Sequence, residues 1–162
     1  MRSLLSLSAA LAVLLTVTVC PRPVDARGQR SSFERRVLRL VNAVRAQHGV
    51  PPLVASRRLV LAAEAHSADL AHRGLLAHES SDGTPMDRRV RRFLPARTVG
   101  ETLAAVRTHN GAADLVVRLW LASPPHRAIV LSRAFHRMGV GERSAALGGA
   151  PALVVTADFA SR

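Results

Sequence analysis

Two proline pairs, Pro51-Pro52 and Pro124-Pro125, set hard limits on what this chain can form. Proline lacks an N–H and clashes with the preceding helical turn, so no regular helix runs through either pair. Ahead of the first pair, Phe33, Val37, Leu40, Val41 and Val44 recur at helical spacing and make one apolar stripe, with Arg35, Arg36, Arg39 and Arg45 off it. The spacing predicts a helix over about 33–48, entered through a Ser31/Glu34 capping box and ended by Gly49. Between the two pairs, a second helix over about 57–74 is predicted, with Ser56 as its cap, Leu59, Ala63, His66 and Leu70 on its buried face and Gly74 at its end. The stretch from His78 to Pro85 is dense in turn formers, and a short helix carrying Met86 and Val90 follows it. Val99–Val106 reads as a short strand, and Ala112–Ala122 as a helix with Val116, Leu119 and Trp120 on one face. The second proline pair opens another turn, with Ile129 and Leu131 facing inward. Arg137–Glu142 and Ala152–Phe159 read as strands, and the Gly148-Gly149-Ala150-Pro151 loop between them favours an antiparallel hairpin. Helices first, strands mostly last and short connections imply one α+β layered domain without internal repeats.

The N-terminus has the pattern of a secretory signal. Arg2 supplies the positive end, Leu4–Val19 is apolar apart from Ser and Thr, and Val24-Asp25-Ala26 offers a cleavage site. The expected division is a signal peptide over 1–26 and a domain over 27–162, in a secreted or periplasmic protein with no membrane span in its mature form. The minority reading is a lipoprotein anchored through Cys20, the only cysteine, although Val19 before it is branched. Cleavage after Ala26 leaves no cysteine, so neither a disulfide nor a thiolate metal site is available. Apolar residues make up 48% of the 162, but aromatic residues only 3%, so Leu, Val and Ala must build the core.

Formal net charge is +12, or +11 once residues 1–26 are removed, and all of the positive charge outside histidine is arginine. Such a field draws anionic partners, which for an exported chain means envelope polymers or acidic lipid head groups. Nucleic acid is disfavoured, because few aromatics are present for base stacking. The bland alternative is arginine scattered over solvated faces.

A set of ordered motifs carries a family resemblance. Leu40-Val41-Asn42 with Arg45 and the Gly49–Leu53 exit comes first, then Ala62-Ala63 with His66–Ala71, then His78 with Ser81-Asp82-Gly83 and Asp87-Arg88. Gly100-Glu101-Thr102 follows, then Trp120 with Ser123-Pro124-Pro125-His126-Arg127, and finally Gly139-Val140-Gly141 and Val155–Phe159. In this order the motifs resemble the bacterial branch of the CAP superfamily, the fold of cysteine-rich secretory, antigen 5 and pathogenesis-related 1 proteins, also called the SCP-like domain. The resemblance implies an α-β-α sandwich around a small antiparallel sheet. It also implies a cleft that gathers His78, His126 and Glu101. Thr102 stands where the family usually has Asn, and Ser123 where many eukaryotic members have a second acid, with Glu79 as a conceivable substitute.

Neutral imidazole ligates zinc and similar divalent ions, and a carboxylate can add a third bond. His78 and His126 are thus candidate metal ligands, with Glu101 beside them and water completing a weak site; a metal-free polar brace is the alternative. His66 reads as a satisfied core residue, His72 and His109 as surface residues, His48 as a favourable charge at a helix end, and His136 as a residue without evident role. Arg127 positions its loop through a carboxylate or is simply solvated. A hydrolase acting on an extracellular peptide or envelope polymer is the second functional class. His78-Glu79 lacks the second histidine of a zinc-protease helix, however, and no Gly-x-Ser-x-Gly elbow occurs. The expected function is therefore binding rather than turnover.

Overall fold

A computed structural model describes residues 32–107 and 110–162. The segment 1–26 read above as a signal peptide, with Cys20, the Ser31 half of the expected capping box and His109 lie outside the described residues. The elements in chain order are α1 (Ser32–Gln47), β1 (Val54–Ala55), α2 (Arg57–Arg73), α3 (Met86–Phe93), β2 (Val99–Val106), α4 (Ala112–Ala122), α5 (Pro124–Val130), β3 (Arg137–Leu147) and β4 (Ala150–Ala160). Both proline pairs act as expected: the first separates α1 from β1, and the second starts α5 in its first turn, where proline's missing N–H costs nothing.

The strands form one sheet in the order β1-β3-β4-β2. The three long strands are antiparallel, as the resemblance implies; the two-residue β1 adds a short parallel edge beside Arg137 and Met138 of β3. The β3–β4 turn is tighter than the four-residue loop read from sequence. Gly148 and Gly149 alone make it, at φ +57° and +78°, the positive-φ pair that a two-residue hairpin requires.

Both faces of the sheet are covered, which gives the α-β-α sandwich. On one face Val155, Ala157 and Phe159 of β4 pack with Val37 and Val41 of α1 and Val116, Val117 and Trp120 of α4. On the other, Val154 and Leu103 meet Leu70 of α2, while Ala160 meets Leu59 and Val90 of α2 and α3. Two glycines let α2 approach closely. A Cβ on Gly139 would lie 2.2 Å from the backbone of Leu59 and Val60, and one on Gly141 would lie 2.2 Å from the Glu64 nitrogen. The Ser67 hydroxyl bridges the same contact, bonding Gly141 O at 3.1 Å and Thr156 Oγ1 at 3.0 Å.

Three local expectations need correction. Ser56 makes no side-chain cap; its carbonyl simply accepts the Val60 N–H at 2.9 Å. Leu119 is exposed, because Val116 and Trp120 already fill the space above the sheet. Arg45, assigned to the polar side of α1, is fully buried. Its guanidinium donates to the carbonyls of Pro51 (2.8 Å), Val130 (2.7 Å), Ser132 (3.0 Å) and Phe135 (3.2 Å), tying α1 to the loops at both ends of the chain's core.

Candidate functional site

The site is built around one carboxylate. Glu101 is the third residue of β2, and the register places it directly opposite Asp158 of β4. Paired residues in a ladder share a face, so both carboxyls point to the α2–α3 side, where Glu101 is 1% and Asp158 0% exposed. Burying a carboxylate is costly unless donors surround it. Two donors converge on Glu101: Arg89 of α3 bonds Oε2 and His78 Nδ1 lies 2.7 Å from Oε1, while His66 Nε2 of α2 stands 3.7 Å from Oε2, beyond hydrogen-bond reach. Arg89 also donates to His78 O (2.9 Å) and Ser80 Oγ (3.3 Å), so one guanidinium fixes both the acid and the loop that carries His78.

Tautomers follow from the partners. Ala77 O can only accept, so His66 Nε2, 2.9 Å away, carries the hydrogen. Burial pushes the His66 pKa down, which keeps the ring neutral. His66 is thus a core residue, as read from sequence, and also a prop for the His78 loop. A carboxylate likewise only accepts, so His78 donates from Nδ1 to Glu101. In the neutral ring this leaves the Nε2 lone pair of a half-exposed imidazole (55% side-chain exposure) facing outward. The Glu101 hydrogen bond raises the His78 pKa, whereas burial, and then repulsion from His78, lower that of His126.

His126, the third residue of α5, is brought to His78 across 48 positions of sequence. The ring centroids are 6.4 Å apart and the planes meet at 64°. Zinc–nitrogen bonds of about 2.0–2.1 Å in a tetrahedral site put two ligating imidazole centroids roughly 5 Å apart. The observed separation is about 1 Å wider than that. The Glu101 oxygens are engaged by Arg89 and His78, and its bond to Nδ1 sets the tautomer and orientation of the His78 ring. Among the described residues no group of three or more His, Cys, Asp or Glu side chains is arranged to hold a metal.

Asp158 and Arg89 were not singled out from sequence. No N–H or hydroxyl among the described residues reaches the Asp158 carboxyl, which lies against that of Glu101. Two buried carboxyls in contact do not both ionise. Burial, and then the Glu101 charge, raise the Asp158 pKa well above the ordinary value, which favours its neutral form. The other candidates stay outside. Glu79 is exposed, its carbonyl accepting from Arg73 at 2.8 Å. Arg127 is exposed and meets no carboxylate among the described residues. The Thr102 hydroxyl is buried without a hydrogen-bond partner among the described residues.

Comparison with known proteins bears on the family and the fold. The sequence pattern of the cysteine-rich secretory protein family, CAP, matches residues 38–159. Over 112 residues the chain is 31% identical to the protein YkwD of Bacillus subtilis, an alignment covering 68% of this chain and 42% of that protein. An extracellular protein containing a SCP domain from Bacillus anthracis superposes with a TM-score of 0.65 at 24% identity, covering 83% of this chain and 45% of the other. An outer surface protein from Borrelia burgdorferi gives a TM-score of 0.65 at 16% identity, covering 83% and 99%. Both structural likenesses speak to the fold; this chain spans less than half the length of YkwD. Among the described residues no helix is long and apolar enough to cross a membrane. The family match runs from α1 to β4 and takes in His78, Arg89, Glu101, His126 and Asp158, and the chain belongs to the cysteine-rich secretory protein (CAP) family.

Proposed function

We propose that this domain is an exported binding module whose cleft presents two imidazoles, His78 and His126, to a ligand, and that it takes up a divalent ion such as zinc weakly between them. One observation carries the reading: Glu101 engages Nδ1 of His78 and leaves Nε2 facing outward beside His126. The ligand-facing groups are thus two nitrogen bases on a rigid floor. The nearby hydroxyls favour binding over turnover. Ser80 Oγ is engaged by Arg89, and Ser81 is tied through backbone and side chain to Asp69, whose carboxylate Arg73 also holds. Among the described residues neither hydroxyl has the paired histidine of an activated nucleophile.

The test is zinc titration of wild type, His78→Ala, His126→Ala and Glu101→Gln at pH 7.5 and pH 5.5. Either alanine variant should abolish the site, and Glu101→Gln should weaken it by about 10–100-fold, the usual effect of losing an outer-shell partner. Acidification should weaken wild type, because protons compete for the same nitrogens. Zinc bound equally by all four proteins, or by none, overturns the metal part. Turnover of peptide, ester or glycan substrates that disappears in His78→Ala or His126→Ala, with the fold intact, overturns binding in favour of hydrolysis.

A further inference from the structure

Away from the histidine cleft, at the opposite edge of the sheet, three arginines line one cavity. Its volume is about 330 Å³, and Ser56, Arg57, Arg58 and Arg137 contribute to its wall. Arg57 and Arg58 are exposed at the start of α2, and Arg137 begins β3, two strands away from the β2 strand that carries Glu101. Among the described residues none of the three meets a carboxylate. The first turn of α2 contains no acid, and neither Asp nor Glu lines the cavity. Elsewhere arginines are neutralised locally, as in the pairs Arg36–Asp114, Arg73–Asp69, Arg89–Glu101 and Arg91–Asp87. Three unneutralised cations around one hollow therefore mark a local field, beyond the high net charge of the whole chain.

Arg137 also lines a second cavity of about 490 Å³, whose wall includes Pro51, Val54, His136 and Arg162 and again no Asp or Glu side chain. In that wall His136 Nδ1 is buried without a hydrogen-bond partner among the described residues. The two cavities share Arg137. A guanidinium offers a planar fork that a phosphate or carboxylate accepts on two oxygens. A carboxylate has only two oxygens and saturates one fork. A phosphate within a chain also has two charged oxygens, but its neighbours along the chain carry the same charge, so successive phosphates supply one oxygen pair to each of three forks around one hollow.

We propose that these two cavities act as one groove that binds a linear polymer whose repeating charge is phosphate, with successive phosphates paired to Arg57, Arg58 and Arg137 and the chain running on past His136. The site is separate from the histidine cleft and stands independently of any metal there.

The experiment uses inorganic polyphosphate as the probe, titrated at several salt concentrations. The variants are the triple Arg57→Gln/Arg58→Gln/Arg137→Gln and a control triple, Arg39→Gln/Arg88→Gln/Arg143→Gln, which removes the same charge from other surfaces. The groove triple should bind at least tenfold more weakly, and the control within about twofold of wild type. The slope of log K against log salt should flatten by about 2–3 in the groove triple, roughly 0.7–0.9 for each phosphate that is no longer neutralised. If changing Arg137 disturbs β3, the double Arg57→Gln/Arg58→Gln, altered only at exposed positions, should still lose at least fivefold. Equal losses in both triples, or no binding by wild type, overturn the proposal. Equal binding of poly-glutamate overturns the assignment to phosphate. Binding to phosphatidylglycerol vesicles without binding to soluble polyphosphate overturns the assignment to a polymer.

Discussion

Replacing Arg89 by methionine tests the electrostatic account of the site most directly. Arg89 is 6% exposed, and it is the only fixed cation against a carboxylate that is itself 1% exposed. Methionine keeps most of the apolar volume. It removes the bond to Glu101 and the bonds to His78 O and Ser80 Oγ. Glu101 is then left with His78, which is half exposed, and with Asp158, whose neutral form is favoured. Removing one partner of a buried ion pair costs about 3–5 kcal/mol, a large share of the roughly 5–15 kcal/mol by which a domain is stable. The second variant, Arg89→Met/Glu101→Gln, removes the orphaned charge while the new amide oxygen can still accept from His78. It should recover at least about 2 kcal/mol, the kind of coupling seen between residues in direct contact.

The assay is urea unfolding of wild type, both singles and the double. The deficit of Arg89→Met should also depend on pH. His78 has its pKa raised by Glu101, so its charged form stabilises the fold below about pH 6.5 and that contribution fades as pH rises through the higher folded value. Arg89 repels the charged form, so the variant should lean on His78 more heavily and its deficit should shrink between pH 8 and pH 6. A loss under about 1 kcal/mol in Arg89→Met, or a double variant as damaged as the single, would refute the reasoning, because Glu101 would then be solvated or otherwise paired.

Two further outcomes follow from geometry elsewhere. Gly141→Ala puts a Cβ 2.2 Å from α2 backbone, so the helix must lift off the sheet; the loss should reach the upper end of about 1–3 kcal/mol for overpacking, read as a drop in thermal midpoint. Asp158→Asn should gain stability relative to wild type as pH rises. The folded chain holds the Asp158 proton above the unfolded value of about 3.9, so wild type loses stability from there upward while asparagine does not titrate. A variant-minus-wild-type difference in urea midpoint that stays flat from pH 4 to pH 7 would show that Asp158 is ionised in the fold.

Much of the architecture is legible in the sequence because most elements have a local cause. The stripe from Phe33, the proline pairs and the double glycine each act within a few residues, and the helix and strand bounds follow from them to within a few positions; the longer β3–β4 hairpin is the exception. The convergence of His78 with His126 has no local cause. It comes from the order of motifs across the chain, and the sheet explains it only once Glu101 and the α2–α3 layer are in place. The two buried arginines leave a trace in the phase of their helices. Arg45 continues the Val37–Val41 spacing by four, and Arg89 stands three after Met86 and four before Phe93, on the stripe rather than off it. In a chain so rich in arginine, another cation on a helix reads as surface unless its phase is checked. Asp158 leaves a different trace, one acid inside an otherwise uncharged strand. Nothing in β4 says which neighbour it faces; that depends on the register with β2.

This register explains why the site needs donors behind it. A carboxyl pair placed across a ladder in the middle of a sandwich cannot move apart, because the rungs before and after it are paired as well. The protein resolves the conflict in three ways at once: it favours the neutral form of one carboxyl, pairs the other with Arg89, and hydrogen-bonds that one to the His78 imidazole. Only His78 among these donors is substantially exposed, so it alone joins the buried charge to anything outside. A ligand that binds Nε2 of His78 therefore acts on Glu101 through the ring. A cation there repels the proton on Nδ1 and strengthens its bond to the carboxylate, whereas protonation of Nε2 adds charge to the same bond without a metal. A metal ion and a proton would thus each tighten the same His78–Glu101 contact while excluding each other from Nε2, and the loop carrying His78 would be held in place in either state.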